Sequence, residues 1–283
     1  MSRIVYLNGE FLTEEDAKVS VFDRGFLMAD AVYEYTAVID GKLSEFDAHI
    51  DRLKRSLGEL QMQCPLSRDE ILQMHRRLVA KNNIDVGGVY LQISRGIAER
   101  DFLFPDNTTP TVTAFTQTLN FVENPINEVG LKVVSVEDGR WIRRDIKSVQ
   151  LLYTSMVKTD AVARGANDAF FVKDGFVTEA TSANAFIVKD GRIITRQLSS
   201  DILHGVMRKA IMGLRDSAQL QIEERPFSIA EAQAADEVFI TASPIYALPV
   251  VEVDGVKVGT GRPGDVTRRI RTTMLDEARS NAI

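Results

Sequence analysis

Two short stretches hold the residues best able to do chemistry. "RWIRRDIKSVQ", residues 140–150, sets Lys147 just before a helical pattern, at the end of a basic, partly apolar run that reads as a strand. An amine desolvated there, near other cations, gives up its proton more readily and becomes both nucleophile and proton carrier. The other reading, for a lysine beside Arg143, Arg144 and Asp145, is a solvated charge. "DGFVTEATSANAFIVKDG", residues 174–191, places one acid, Glu179, ahead of small residues in a segment that otherwise reads as core β-structure. A carboxylate buried there needs a cation and donors, because an unpaired buried charge is costly. Otherwise it leaves a hairpin into water. More familiar chemistry is missing: the sequence has no GxxxxGK[ST], GxGxxG or GxSxG pattern. His49, His75, His204 and Cys64 are too scattered to suggest a metal site, and His75, in a charged helix, reads as a surface residue.

Hairpins and helices must position these groups. Asn8-Gly9 in "IVYLNGEFL" and Asp40-Gly41 in "AVYEYTAVIDGKLSEF" are two-residue turn signals between apolar runs. Tyr33 and Tyr35, two apart on the first strand of the second hairpin, project from one face. Asp47 reads as the cap of a helix with Ile50, Leu53 and Leu57 on its apolar side, and Ser67 with Glu70 forms a capping box ahead of "ILQMHRRLVAK". "GVYLQISRG" and "TVTAFTQT" read as strands around the polar, proline-bounded loop "IAERDFLFPDNTTP". Residues 119–130, "LNFVENPINEVG", follow neither period. They divide the chain into an expected N-terminal α/β domain over 1–118 and a C-terminal domain over 131–283. The latter contains a helix closed by Gly165, the doubled hairpin around 168–195, a helix from Leu203 to Leu214, a capping box at Ser228 and Glu231, the strand "EVFITAS" and a terminal helix from Asp265. Strands and helices mix without regular βαβ alternation, so two α+β domains are expected.

The 283 residues suffice for two such domains, and 45% hydrophobic with 26% charged residues is a soluble globular composition. A net charge of −6 argues against a nucleic-acid binder working through a general field. Cys64 alone forms no intrachain disulfide, and neither a secretory h-region nor a membrane-spanning run is visible, so the expected setting is the cytoplasm without a membrane or nucleic-acid partner.

Seven segments in order resemble the fold-type IV pyridoxal 5'-phosphate (PLP) enzymes, closest to the D-amino-acid aminotransferases. They are "SVFDRGFLMADAVYE", "HIDRLKRS", "RGIAERDFLFP", "RRDIKSVQLL", "VTEATSANAF", "ILHGVMRKAI" and "EVFITAS". The resemblance implies a two-domain fold, with a smaller N-terminal α+β domain and a larger C-terminal pseudo-barrel domain that binds PLP. It implies that Lys147 is the Schiff-base lysine and general acid/base, with Lys158 as the rival, and that Glu179 pairs with the pyridine nitrogen. Thr181, Ser182 and Asn184 let the flat ring approach and offer hydrogen bonds, and Leu203 backs the ring. Arg52 corresponds to the phosphate arginine, aided by the N–H groups of Val206 and Met207 and the hydroxyl of Thr241, with Ser243 a further candidate.

On the substrate side the resemblance implies that Tyr33 and Arg100 hold a carboxylate, with Tyr35 alongside, and that Arg95 is structural. The family's histidine two positions after the arginine is Phe102 here, which weakens or rearranges that trap. The implied reaction is transamination of a D-amino acid with a 2-oxo acid acceptor, of the D-alanine/2-oxoglutarate type. The alternatives are an (R)-selective amine transaminase, which Phe102 would favour, and then an aminodeoxychorismate-type lyase. A homodimer, with the "RDFLFP" loop reaching across, is implied too.

Overall fold

The computed structural model describes residues 2–214 and 220–283. They form two compact units: the first takes in Met1–Phe121, Ile146–Gln150 and Ala278–Ile283, the second Val122–Asp145 and Leu151–Glu277.

The first unit is built on a six-stranded antiparallel sheet made of β1 (Ile4–Leu7), β2 (Glu10–Thr13), β3 (Ala31–Ile39), β4 (Lys42–Leu43), β5 (Gly87–Ser94) and β6 (Thr111–Thr118), in the order β2-β1-β6-β5-β3-β4. Its hairpin turns follow from residue type. Asn8-Gly9 joins Leu7 to its partner Glu10, and Asp40-Gly41 joins Ile39 to Lys42, every turn residue having positive φ, which Gly, Asn and Asp tolerate. The short helix α1 (Arg24–Met28) is capped by Asp23, and α2 (Phe46–Glu59) and α3 (Arg68–Lys81) pack on the sheet. The capping box at Ser67 and Glu70 is present.

Asp47 is not the cap expected of it. Helix α2 starts two residues earlier than that cap would place it, after Glu45 in a left-handed conformation (φ 53°), and the Asp47 carboxylate accepts from exposed Arg68 instead. His75 is not a surface residue either. It is 1% exposed, donates from Nδ1 to the Ile71 carbonyl and meets Phe46 edge-on at 5.6 Å. Burial pushes its imidazole down to about 4. The charges next to it in sequence lie on other faces of α3.

In the second unit a nine-stranded sheet is formed by β7 (Leu131–Glu137), β8 (Asp168–Lys173), β9 (Phe176–Ala180), β10 (Asn184–Lys189), β11 (Arg192–Thr195), β12 (Gln221–Glu224), β13 (Glu237–Ala242), β14 (Tyr246–Val253) and β15 (Val256–Lys257). The order is β12-β11-β10-β13-β14-β7-β8-β9, with β15 on β14. Mixed pairing lets this sheet curl: β11/β12, β14/β7 and β7/β8 are parallel, the other pairs antiparallel. At the far end the Ala180 N–H reaches the Ala183 carbonyl at 2.8 Å, which brings β9 back towards β10. Inside lie Phe170, Val177, Ile187, Phe227, Ile240 and Val250. Burying such side chains stabilises the unit by about 1.5–3 kcal/mol each. Helices α4 (Ile126–Val129), α5 (Leu152–Ala163), α6 (Val206–Gly213), α7 (Ile229–Gln233) and α8 (Asp265–Asn281) complete the set, with the Ser228–Glu231 capping box opening α7. No helix among the described residues is long and apolar enough to cross a membrane.

Candidate functional site

Alternation along β3 sorts the first unit's chemistry by face. Tyr33 and Tyr35 share one face, half-buried, while Glu34 between them is 2% exposed on the other. There it meets α2, whose His49 and Arg52, three apart, project from one side. Arg52 grips Glu34 with two donors, Nε at 2.8 Å and Nη2 at 2.7 Å, and His49 Nδ1 donates at 2.7 Å. Burial alone would push the Glu34 carboxyl up, but Arg52 and then His49 outweigh it and hold it far below the usual carboxylate range. Burial, against the pull of Glu34, pushes the His49 imidazole down. Arg52 is therefore buried, 9% exposed, and oriented by a carboxylate.

Lys147 lies in an irregular segment rather than on a strand. The segment adds one isolated bridge to β3, between Val32 and Ser148. The Lys147 carbonyl accepts from the Tyr33 N–H at 2.9 Å, its N–H reaches the Ser56 hydroxyl at 3.3 Å, and Nζ sits 4.0 Å from the centre of the Tyr33 ring. Tyr33 in turn stacks on Tyr90. Lys147 and Tyr33 are thus brought together. Tyr35 leans over Gly88, where any Cβ would collide with its ring at 2.2 Å. Its buried hydroxyl finds no partner among the described residues, and burial pushes it up to about 12.

The loop with Arg100 and Phe102 is exposed, Phe102 at 78%, and the Arg100 guanidinium lies 5.4 Å from the Phe102 ring. Buried arginines anchor it: Arg24 donates to the Asp101 carbonyl at 2.8 Å, and Arg95 lies over Phe104 at 3.7 Å. The Asp30 carboxylate holds both, accepting from Arg24 Nε and Arg95 Nε at 2.8 and 2.7 Å.

In the second unit the arrangement turns on Asn184, at the start of β10 and opposite Thr241 of β13. Its amide donates to Glu179 Oε1 at 2.9 Å and to the Leu203 carbonyl at 3.0 Å. The Leu203 N–H also reaches Glu179 Oε1, at 2.7 Å, so the contribution of Leu203 to Glu179 comes from its backbone. Arg140 donates to Glu179 Oε2 at 2.7 Å while its Nε and Nη2 hold Asp138, and its guanidinium lies 4.3 Å from the Phe171 ring. Burial pushes the Glu179 carboxyl above its ordinary value, against Arg140 and the Leu203 N–H, and the Asp138 charge adds to the rise.

Gly205 precedes α6, and no side chain caps that helix, so the N–H groups of Val206 and Met207 open it. A Cβ on Gly205 would strike Asn184 Oδ1 at 2.0 Å, so only glycine lets Asn184 come this close. Thr241 Oγ1 is buried and has no partner among the described residues. Glu179, Leu203, the start of α6 and Thr241 therefore gather round one amide, whereas Ser182, expected with them, is exposed in the β9–β10 turn. Lys158 is committed to Asp168 at 2.7 Å, and Asp168 accepts from Thr181. No cluster of three or more His, Cys, Asp or Glu able to hold a metal occurs among the described residues.

The second unit's set fits PLP. An orphaned buried hydroxyl and an uncapped helix start suit a phosphate. An acid with a spare lone pair on Oε2 suits a protonated ring nitrogen. Glu34, His49 and Arg140 escaped the sequence reading. The one available signal was their type: Glu34 is a carboxylate between apolar strand neighbours, and His49 and Arg52 fall on one helical face.

Comparison with known proteins agrees with this chemistry. A family model described as amino-transferase class IV matches residues 31–253. The chain is 36% identical over 282 residues to a D-alanine aminotransferase of Staphylococcus epidermidis, covering 99% of each sequence. It is 35% identical over 270 residues to a D-alanine aminotransferase of Bacillus licheniformis, covering 95% of each. Among solved structures it resembles the Escherichia coli branched-chain amino acid aminotransferase, with a TM-score of 0.90 at 25% identity over 98% of this chain and 95% of that one. The T.th. branched-chain amino acid aminotransferase, solved with pyridoxamine 5'-phosphate, is similar at a TM-score of 0.88 and 22% identity, over 98% and 94%.

Proposed function

The chain belongs to the amino-transferase class IV family, and from that premise we propose that it exchanges amino groups between D-amino acids and 2-oxo acids, with D-alanine and 2-oxoglutarate as the type pair. It is a PLP-dependent aminotransferase of fold type IV. The observation that carries the reading is the gathering of Glu179, the opening of α6 and the orphaned Thr241 hydroxyl round Asn184, in a chain alike over its whole length to D-alanine aminotransferases.

When bound, PLP supplies the electron sink that makes the substrate α-proton labile. Lys147 Nζ is the amine that anchors it, and afterwards takes and returns that α-proton. Glu179 holds the proton on the ring nitrogen, kept in place by Arg140 and Asn184. Thr241 Oγ1, the Val206 and Met207 N–H groups and Arg52 take the phosphate, and Leu203 borders the ring. Tyr33 and Arg100 receive the substrate carboxylate, with Phe102 as an apolar wall and Tyr35 lining the same sheet face as Tyr33.

The working form is a homodimer. Phe22, Phe26, Ile97, Phe102 and Leu103 are exposed apolar side chains on α1 and the loops beside it, and a second copy would cover them. Its place is the cytoplasm, where Cys64 stays a thiol.

The test is a donor panel on purified protein. D-Alanine with 2-oxoglutarate gives pyruvate, L-alanine does not, and Lys147→Ala loses on the order of 10²–10⁴-fold in rate. Turnover of (R)-1-phenylethylamine with pyruvate and none of D-alanine would replace this reading, as would pyruvate formed from aminodeoxychorismate without an acceptor. A scattering mass of one chain would overturn the dimer.

A further inference from the structure

Tyr246 has a backbone that its side chain disfavours. It is 1% exposed and sits at φ 57°, in the left-handed region where a bulky aromatic residue is a genuine outlier. Such a residue persists only where its surroundings hold it, and these positions cluster where a site must be preorganised. It opens β14 opposite Ala242, directly after the Ser243-Pro244-Ile245 turn that leaves β13, and the Ile245 N–H closes that turn on the Ala242 carbonyl at 3.0 Å.

The carbonyls on either side of Tyr246 meet a single donor. Arg271 of α8, 9% exposed, donates from Nη1 to Ile245 O at 2.6 Å and to Ala247 O at 3.2 Å. Burial pushes its guanidinium below its ordinary value, so charge burial opposes keeping it there. Ala247 is the cross-strand partner of Thr241, whose buried hydroxyl has no partner among the described residues. The arginine thus grips the backbone across from that hydroxyl and on both sides of the strained residue.

We propose that Arg271 is a positioning residue for the phosphate end of the cofactor, holding the carbonyls that flank Tyr246 and so fixing the 243–245 turn and the Thr241 hydroxyl. The assignment rests on the functional reading above. It concerns binding of the phosphate alone, since the ring and the aldehyde have other partners in Glu179 and Lys147.

The test is equilibrium binding of PLP and of pyridoxal, which lacks the phosphate, to full-length protein freed of cofactor, followed by absorbance. Arg271→Met weakens PLP about 10-fold or more, the loss of roughly one good hydrogen bond, and leaves pyridoxal unchanged. Arg271→Lys, whose ammonium cannot span both carbonyls with the arginine's fixed fork, falls between. Equal weakening of both ligands would mean general support of the fold and overturn the assignment, as would no change in either. If the methionine variant does not fold, the lysine variant decides the matter through the same ratio of affinities. A wild-type protein that binds neither ligand would sink the functional reading itself, and this assignment with it.

Discussion

Glu34 in the first unit and Glu179 in the second are the same residue type, each on a strand, each buried, each 2.7 Å from an arginine nitrogen. Their carboxyls are nonetheless displaced in opposite directions, Glu34 far down and Glu179 up. Burial pushes both up; the cations differ. Arg52 gives Glu34 a two-donor fork, and His49 adds a third contact. Arg140 gives Glu179 one contact and commits the rest of its guanidinium to Asp138, whose own charge repels Glu179. One carboxylate is locked into its charge and serves as a brace for Arg52. The other is pushed up, because burial outweighs its single contact with Arg140 and the Leu203 N–H. What an arginine contributes to a buried acid depends on how much of it is already engaged.

Removing the fork should have the largest effect. Arg52→Met leaves Glu34 a buried acid with His49 but no arginine and should lower stability by about 3–5 kcal/mol, read from urea unfolding without added cofactor; a loss under about 1 kcal/mol would show that the fork contributes little.

His75 sharpens the comparison from the side of a buried base with no fork at all. Its ordinary value is 6.5 and its folded value about 4, so between these the unfolded chain binds more protons and stability falls as pH drops through the interval. That fall amounts to about 3 kcal/mol. His75→Phe should flatten this part of the profile between pH 7 and pH 4, and an unchanged slope would assign it elsewhere.

Arg140→Met should destabilise less, by about 1–3 kcal/mol, because Glu179 is already displaced towards its neutral form. With its carboxyl raised further, the folded chain holds the extra proton, so the deficit should shrink as pH falls from 8 to 5. A deficit that grows on acidification would reverse the interpretation.

The smallest effect belongs to the exposed pair. Arg68 lies as close to Asp47, at 2.6 Å, as either arginine does to its glutamate, yet both side chains are open to water. Asp47→Asn should leave the urea midpoint within experimental scatter, since solvent screens such pairs. A clear shift would show that distance, and not burial, sets the strength of these contacts.

The parts of the fold governed by neighbouring residues were legible before any coordinates. Asn8-Gly9, Asp40-Gly41 and the capping boxes at Ser67 and Ser228 act through backbone preference and hydrogen bonds three residues long, and all take the expected form. Asp47 misled because Glu45 adopts a left-handed conformation and starts α2 early, and His75 because flanking charges say nothing about the face between them.

The sequence by itself determined the enzyme's class, because seven local patterns in fixed order are a one-dimensional signal, and it singled out Lys147 and Glu179 by type and setting. It could not assign the partners. Glu34 with Arg52, Arg140 with Glu179, and Arg271 with Ile245 and Ala247 join residues 18, 39, and 26 and 24 positions apart, on elements that meet only after strands pair and helices dock. Electrostatic interaction depends on distance and on exclusion of water, and both are set by packing in three dimensions. The tertiary structure therefore decided which acid meets a two-donor fork and is pushed down, and which meets a single arginine contact and is pushed up.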